Sequence, residues 1–390
     1  MDPKRFTESM LGRLVRIDAP RPDHAFIPEP LNPSWGLSQD LWRLLVNARA
    51  ALAKLDGVGQ HMPNHQLLLR PLQGREALRS SSLEGTYATP EELLAYQIDP
   101  REPSSRDDPV NSWREVLNYN KALDLGTKLL QEGLPLSLRL IRQVHEQLLS
   151  GVRGENRTPG EFRCRQVQIG VEARFVPPPP QEMQICLNDF ERYLHTESEI
   201  DPLIRAFMAH YQFETIHPFL DGNGRVGRLL LSLTIYEWLK LGNPWLYMSA
   251  FFERHKDEYI DILFRVSTHG DWTRWLSFCL TGVVEQCTDA IGRFERLVKL
   301  RDDYHQRVAT TGGAVRLNQL VDGLFEAPAV TVPQVAKRFE VTYPTAKSDI
   351  TRLVRLGILR EGPEMMYPKT FFAPAILDTA YRDEWPDNTR

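Results

Sequence analysis

The chain has 390 residues, enough for two to four domains at roughly 100–200 residues each. Hydrophobic residues make up 42%, so a sizeable core can form and global disorder is excluded. A formal net charge of -4 argues against a protein coated in nucleic acid but leaves room for one local basic surface. Cys164, Cys186, Cys279 and Cys287 are scattered without a C-x-x-C pair. That pattern suits free thiols in a reducing compartment, not a disulfide framework or a zinc ribbon. There is no basic-then-apolar leader and no apolar run near the ~20 residues of a membrane span, so the expected location is the cytoplasm, with no membrane partner.

In chain order, residues 1–37 are rich in proline and read as an extended arm. Ser38 suits the N-cap of a helix carrying Leu41, Leu44, Leu45 and Ala48, ending near Gly57. A second helix is expected from about Asn64 to Leu83. Thr89-Pro90-Glu91-Glu92 starts a third, with a cap, a first-turn proline and two acids near the positive helix end. Residues 100–109 read as a linker. From Val110 to about Arg301 the pattern is mainly helical, except that Val167, Ile169 and Val171 alternate within Arg163–Val176 and predict a short β-hairpin. Pro177–Pro180 is a stiff segment that fixes where the hairpin points. A polar stretch near Thr310–Gly313 precedes a last module of helix, helix, turn, helix and hairpin: Val315–Phe325, Val332–Phe339, Tyr343–Leu356, then two strands around Gly362-Pro363. That order resembles a winged helix-turn-helix.

The most specific signal is His217-Pro-Phe-Leu-Asp-Gly-Asn-Gly-Arg-Val-Gly-Arg228. Gly222-Asn223-Gly224 can turn sharply and expose successive N–H groups, a nest for an anion. Val226, Leu229, Leu230 and Leu233 follow at helical spacing, so the turn sits at a helix N-terminus whose dipole also favours phosphate. Arg225 and Arg228 share a face of the first turn and can reach one polyphosphate. Asp221 can hold a magnesium ion on phosphates, and His217 can accept a proton near neutrality.

This motif resembles that of the Fic family at every defining position, and the resemblance extends over most of the chain. Phe213-Glu214-Thr215-Ile216 is similar to the family's lead-in, Gln166–Gly170 with Val176-Pro177-Pro178 to its flap, and the N-terminal segment to the helical domain before many bacterial Fic cores. The resemblance implies a mainly α fold: an N-terminal arm and helical region over 1–109, a Fic-type core with a β-hairpin flap over 110–305, and a winged-helix module over 313–378. It implies ATP and Mg²⁺ as cofactors and AMP transfer to a Ser, Thr or Tyr hydroxyl of a target protein, and of the chain itself. His217 would take the hydroxyl proton and Asp221 would hold Mg²⁺. Gly222, Asn223, Gly224, Arg225, Val226, Gly227 and Arg228 would bind the phosphates, with Phe219 as a packing anchor.

The resemblance also places Val167, Gln168, Ile169 and Gly170 of the flap on the adenine side, where the hairpin edge could hold a stretch of target by strand addition. Tyr259 is expected either beside the nucleotide or in the core. Ser80-Ser81-Ser82-Leu83-Glu84-Gly85 matches the family's inhibitory motif; Ser80 and Glu84 share a helix face, Gly85 suits the helix end, and Glu84 would pair with Arg228. In the last module Lys347, Arg352 and Arg355 lie on the third helix, and residues 315–376 carry eight Lys/Arg against six Asp/Glu. That is a weak electrostatic footprint, compatible with DNA or protein contact. A homodimer is compatible with the family resemblance. Three other readings stay open: a DNA-binding regulator whose core senses nucleotide, transfer of phosphate or another nucleotide group by the same site, and removal of AMP by that site.

Overall fold

A computed structural model of the chain describes residues 1–18, 22–31, 37–61, 66–105, 107–152, 158–170, 173–310, 315–363 and 368–382. Helices dominate. They are α1 (Gln39–Gln60), α2 (Gln66–Leu83), α3 (Pro90–Ile98), α4 (Val110–Gln131), α5 (Leu138–Leu149), α6 (Pro180–His195), α7 (Pro202–Ile216), α8 (Asn223–Leu239), α9 (Ser249–Arg254), α10 (Lys256–His269) and α11 (Trp272–Ala309), followed by α12 (Val315–Glu326), α13 (Val332–Arg338), α14 (Tyr343–Arg355) and α15 (Pro374–Tyr381). Among the described residues five short strands accompany them: β1 (Gly12–Ile17), β2 (Asp23–Pro28), β3 (Ala329–Thr331), β4 (Arg360–Glu361) and β5 (Thr370–Phe372). The chain divides into two compact units, one of residues 1–59, 79–86 and 117–287, the other of 60–78, 87–116 and 288–390.

The first unit is built on α7 and α8. Asp201 caps α7 by accepting from Leu203 N–H at 2.8 Å, with Pro202 in the first turn. Both helices bury residues on nearly every side, including Phe207, Phe213, Val226, Leu229 and Leu233, the signature of central core helices rather than surface ones. The short link between them, 217–222, carries the candidate chemistry.

The N-terminal segment departs from the extended-arm expectation. Strands β1 and β2 pair antiparallel, in a register running from Gly12 opposite Pro28 to Ile17 opposite Asp23. Alternation in Leu14-Val15-Arg16-Ile17 is weak, and the proline-rich composition of the segment outweighed it. Phe26 is fully buried with Phe175 and Phe264, and Ile169 packs against them; Phe26 N–H donates to the Val176 carbonyl at 2.9 Å. This strand pair therefore buttresses the flap. The flap itself has less regular structure than its alternation predicts. Among the described residues one antiparallel bridge joins Ile169 to Phe175, and Val171 lies outside them.

In the second unit Thr89 forms the expected capping box with Glu92 at the start of α3. Leu94 of α3 packs with Ala329, Phe372 and Leu377. The strands order β3-β5-β4, all antiparallel, so the last module runs α12, β3, α13, α14, then the β4–β5 hairpin close to the predicted bounds. Helix α15 comes after it. Thr331 caps α13 with a second capping box, through Gln334. Buried Arg293 pairs with Asp289 at 2.8 Å and donates to the carbonyls of Thr379 and Arg382 at 2.8 and 2.9 Å, fastening the chain's last helix. Thr310–Gly313 lies mostly outside the described residues.

Candidate active site

His217 ends α7 in the left-handed conformation, φ 50°, where a non-glycine residue is uncommon and must be held in place. Three contacts hold it. Its N–H donates to the Phe213 carbonyl at 3.0 Å. Its carbonyl accepts from Arg163 Nε at 2.9 Å. Its ring Nδ1 lies 3.3 Å from the Glu214 carbonyl. A carbonyl only accepts, so Nδ1 carries the proton and Nε2 is left with its lone pair. Burial, helped by the nearby Arg163 charge, pushes the imidazole pKa down to about 4. The ring is therefore neutral at pH 7 and lines a cavity of about 340 Å³.

The loop after His217 is closed from inside. Asn223 Oδ1 accepts from Phe219 N–H at 2.8 Å, and its Nδ2 donates to the Phe219 carbonyl at 2.9 Å. Phe219 is fully buried and stacks on His145 with centroids 3.6 Å apart, as its role as a packing anchor requires. Gly222 takes φ 77°, a conformation costly for any residue with a Cβ. Helix α8 begins at Asn223, so the N–H groups of its first turn face the end of the link. Gly224 lines the cavity. Asp221 accepts from Gly222 N–H at 2.7 Å and lies 3.7 Å from Arg225, its side chain 40% exposed. The Val226 side chain is fully buried in the core; as the residue after Arg225 on the helix it turns away from the face that Arg228 shares.

Arg228 is 3% exposed and fully engaged by the end of α2. Its Nε donates to Ser80 Oγ at 2.9 Å, and Nη2 donates to the Ser80 carbonyl and to Glu84 Oε1, both at 2.8 Å. Burial opposes the charge of Arg228, but Glu84 more than compensates and raises its pKa above the ordinary value. Burial would raise the Glu84 carboxyl; the charge and hydrogen bond of Arg228 outweigh it and hold that carboxyl below its usual range. Glu84 follows the last residue of α2, and Gly85 turns the chain at φ 81°. The segment is tied down: Arg79 pairs with Glu253 at 3.0 Å, Ser82 Oγ donates to the same carboxylate, and Lys256 Nζ donates to the Leu83 carbonyl at 2.7 Å.

Ile169 and Gly170 of the flap line the cavity, whereas Val167 and Gln168 are not among its lining residues. Tyr259 lines the cavity while the residue is 5% exposed, and its hydroxyl bonds His210 Nε2 at 2.8 Å.

Several residues that matter here carried no sequence signal. His145 Nε2 donates to the Asp221 carbonyl at 3.1 Å while its Nδ1 accepts from Gly160 N–H at 2.9 Å, bracing the loop from α5. Arg163 is 2% exposed; besides the His217 carbonyl it donates to those of Arg165 at 3.2 Å and Pro178 at 2.5 Å. One guanidinium thus joins the stem of the flap to the end of α7. Glu214 lines the cavity. No local pattern flags a buried cation such as Arg163, whose partners include backbone carbonyls far away in sequence.

The fold and this site define a mainly helical protein with a neutral imidazole, a glycine-lined helix start and a buried arginine around one cavity. Residues 42–128 match the Fic/DOC family N-terminal domain and residues 135–235 the Fic/DOC family domain. Over these two stretches the chain is similar to that family's two domains. It is 30% identical over 183 residues to protein adenylyltransferase Fic of Aedes aegypti, covering 46% of this chain and 33% of that protein. The protein of the same name from Culex quinquefasciatus is 29% identical with the same coverage. The chain thus spans about a third of the length of these curated relatives. A Fic family protein from Desulfovibrio desulfuricans superposes with a TM-score of 0.57 at 17% identity, covering 88% of this chain and 98% of that one. Fic-1 from C. elegans gives 0.52 at 22%, covering 65% and 73%. These two solved structures establish likeness of fold. Among the described residues, no helix is long and apolar enough to cross a membrane.

Proposed function

We propose that this chain transfers AMP from ATP to a hydroxyl of a target protein, and of itself, and is held back by Glu84. The carrying observation is that the deprotonated Nε2 of His217 and the guanidinium of Arg228 serve one cavity, which the start of α8 also lines through Gly224. The curated relatives' name, protein adenylyltransferase, supports the same reading.

In this reading the target hydroxyl loses its proton to His217 Nε2 as its oxygen bonds to the α-phosphorus. The bond from that phosphorus to the bridging oxygen breaks, and pyrophosphate leaves. A neutral imidazole is the form a general base requires. The N–H groups at the start of α8 face the charge that develops on phosphate, donors already fixed before the reaction. Asn223 serves by shaping the loop, since its side-chain amide is spent on Phe219. Arg225 and Arg228 serve the outer phosphates, and Ile169 and Tyr259 the base side.

Mg²⁺ fits the donors present. Among the described residues no group of three or more His, Cys, Asp or Glu gathers to cage a metal, and Mg²⁺ commonly uses one or two carboxylates with substrate phosphates and water. Half-exposed Asp221 is such a carboxylate; when bound, the ion would neutralise phosphate charge. Glu84 occupies the guanidinium that the terminal phosphate needs, so release of Glu84 is the activating event.

The test is incorporation of labelled AMP with ATP and Mg²⁺ by the wild type, Glu84→Gly and Glu84→Gly/His217→Ala. The reading requires a gain from the first substitution and loss of transfer, with retained nucleotide binding, from the second. Modification by the His217→Ala protein at the Glu84→Gly rate overturns it, as does an added mass other than one adenylyl group.

For the C-terminal module we propose a role in contact with other macromolecules through α14. Lys347 and Arg355 are exposed there beside Tyr343, which is 55% exposed. A salt-dependent shift of random duplex DNA by the full chain, lost in Lys347→Glu/Arg355→Glu, would mark that contact as nucleic acid.

A further inference from the structure

Glu214 is an acid that the proposed mechanism does not use, three residues before the catalytic imidazole. Its backbone carbonyl is already taken by His217 Nδ1. Its carboxyl lines the cavity, yet Oε1 is buried without a hydrogen-bond partner. An orphaned buried carboxylate oxygen is costly and calls for an explanation.

The carboxyl is also held in place. A Cβ on Gly227 would overlap Oε1 and fall 3.0 Å from Cδ, so the group rests directly on the Gly227 backbone, one residue before Arg228. The charged and titratable groups around it come from every neighbouring element. Arg228 lies on α8, Glu84 follows α2, and Tyr259 and Lys256 stand on α10. Arg174 in the flap is paired with Asp261, and His217 and His210 belong to its own helix and that helix's end. Arg228 is the cation it faces, and Glu84 holds that cation in this structure; no ion pair joins Glu214 to it among the described residues. Burial first, then the Glu84 charge, pushes the Glu214 carboxyl up to about 7 despite the opposing pull of Arg228.

We propose that Glu214 is a second carboxylate competing for Arg228, and that it must be neutral for a triphosphate to occupy the cavity, so that nucleotide binding takes up a proton at this side chain. This deepens the nucleotide reading above and rests on it. While Glu84 is in place, its charge holds the proton on Glu214 up to about neutrality, and Glu84 is the inhibitor. When Glu84 leaves, the repulsion that kept Glu214 protonated goes with it, and the freed guanidinium draws out its proton. The empty site then closes on a substitute ion pair. An arriving phosphate reverses this: it takes Arg228, raises the proton affinity of Glu214 again and receives a hydrogen bond from the neutral acid. Release of Glu84 is therefore only partial activation above neutrality and fuller below it.

The experiment compares full-length Glu84→Gly with Glu84→Gly/Glu214→Gln. A non-hydrolysable imido analogue of ATP is titrated in buffers of different ionisation heat, and affinity is followed from about pH 6.5 to about pH 8.5. The ligand's own phosphate titration is common to both proteins and cancels. Glu84→Gly should take up more protons than the double variant, and its affinity should fall about tenfold further across the range, one pKa unit of linkage being a factor of ten. Glu84→Gly/Glu214→Met, which fills the same space without a titratable group, should behave as the Gln variant does and guards against loss of folding in either. Equal proton uptake and equal pH slopes in the folded variants overturn this proposal alone. Failure of every protein to bind the analogue at any pH overturns it together with the nucleotide reading.

Discussion

The contact between Glu84 and Arg228 yields the sharpest prediction. Glu84→Gly removes one charge-assisted hydrogen bond of 2.8 Å from an arginine that is 3% exposed. A hydrogen bond to a charged group is worth roughly 1.5–3 kcal/mol net. The 40% exposure of the Glu84 side chain argues for the lower part of that range, because water screens the ion pair. A ligand phosphate that must displace Glu84 is opposed by this amount, so removal should tighten ATP binding by roughly tenfold to fortyfold. Below neutrality, where Glu214 keeps its proton and cannot take Glu84's place, the same deletion leaves Arg228 buried with Ser80 as its hydrogen-bond partner among the described residues, so stability there should fall by about 1–3 kcal/mol without nucleotide. Calorimetric titration with the imido analogue and urea unfolding of the apo protein read the two effects. Glu84→Gln separates charge from shape and should tighten binding by less than Gly does. Nucleotide affinity and urea midpoint both unchanged in Glu84→Gly would refute the claim that this pair gates the cavity.

Further expectations come from the loop and the core. Asn223→Ala removes both bonds to the Phe219 backbone and strands a buried N–H and carbonyl, so it should cost about 2–4 kcal/mol; a thermal midpoint within a degree or so of wild type would contradict the clasp. His145 and His210 are buried neutral, their pKa values pushed down to about 4 and about 3 by burial. Unfolded imidazole titrates near 6.5, so the unfolded chain binds more protons between those values, and stability should decline as pH drops from about 6.5 towards 4. Urea midpoints that stay flat from about pH 7 to about pH 5 would count against it. Gly227→Ala drives a methyl into Glu214 Oε1 and to 3.2 Å from buried Phe213. It should destabilise by about 1–3 kcal/mol, as overpacking does, and unaltered melting would show that the carboxyl is free to move.

Local pattern was enough for most of the helices. Thr89 with Glu92, Ser38 ahead of Leu41, and the prolines opening α3, α7, α13 and α14 are capping chemistry within four residues, visible without any tertiary partner. The same holds for the 217–228 segment, whose glycine turn and first helical turn are local backbone physics. Where energy came from distant contacts the sequence was a poorer guide. The pairing of β1 with β2 is stabilised by Phe26 against Phe175 and Phe264, and among the described residues the flap is held by that packing together with one bridge.

By itself, then, the order of residues determined which segments coil, where they start, and that an imidazole, a turn for anions and two arginines lie within one short stretch. Only the tertiary structure decided how those groups act. It gave Asn223 to the loop and Val226 to the core, supplied Arg163 and His145 as braces, and set Glu214 against Gly227. It also brought Ser80 and Glu84 onto Arg228 across 144 to 148 positions of sequence. The reason is desolvation: a side chain's protonation and partner depend on what excludes water around it, and that is decided by residues far along the chain.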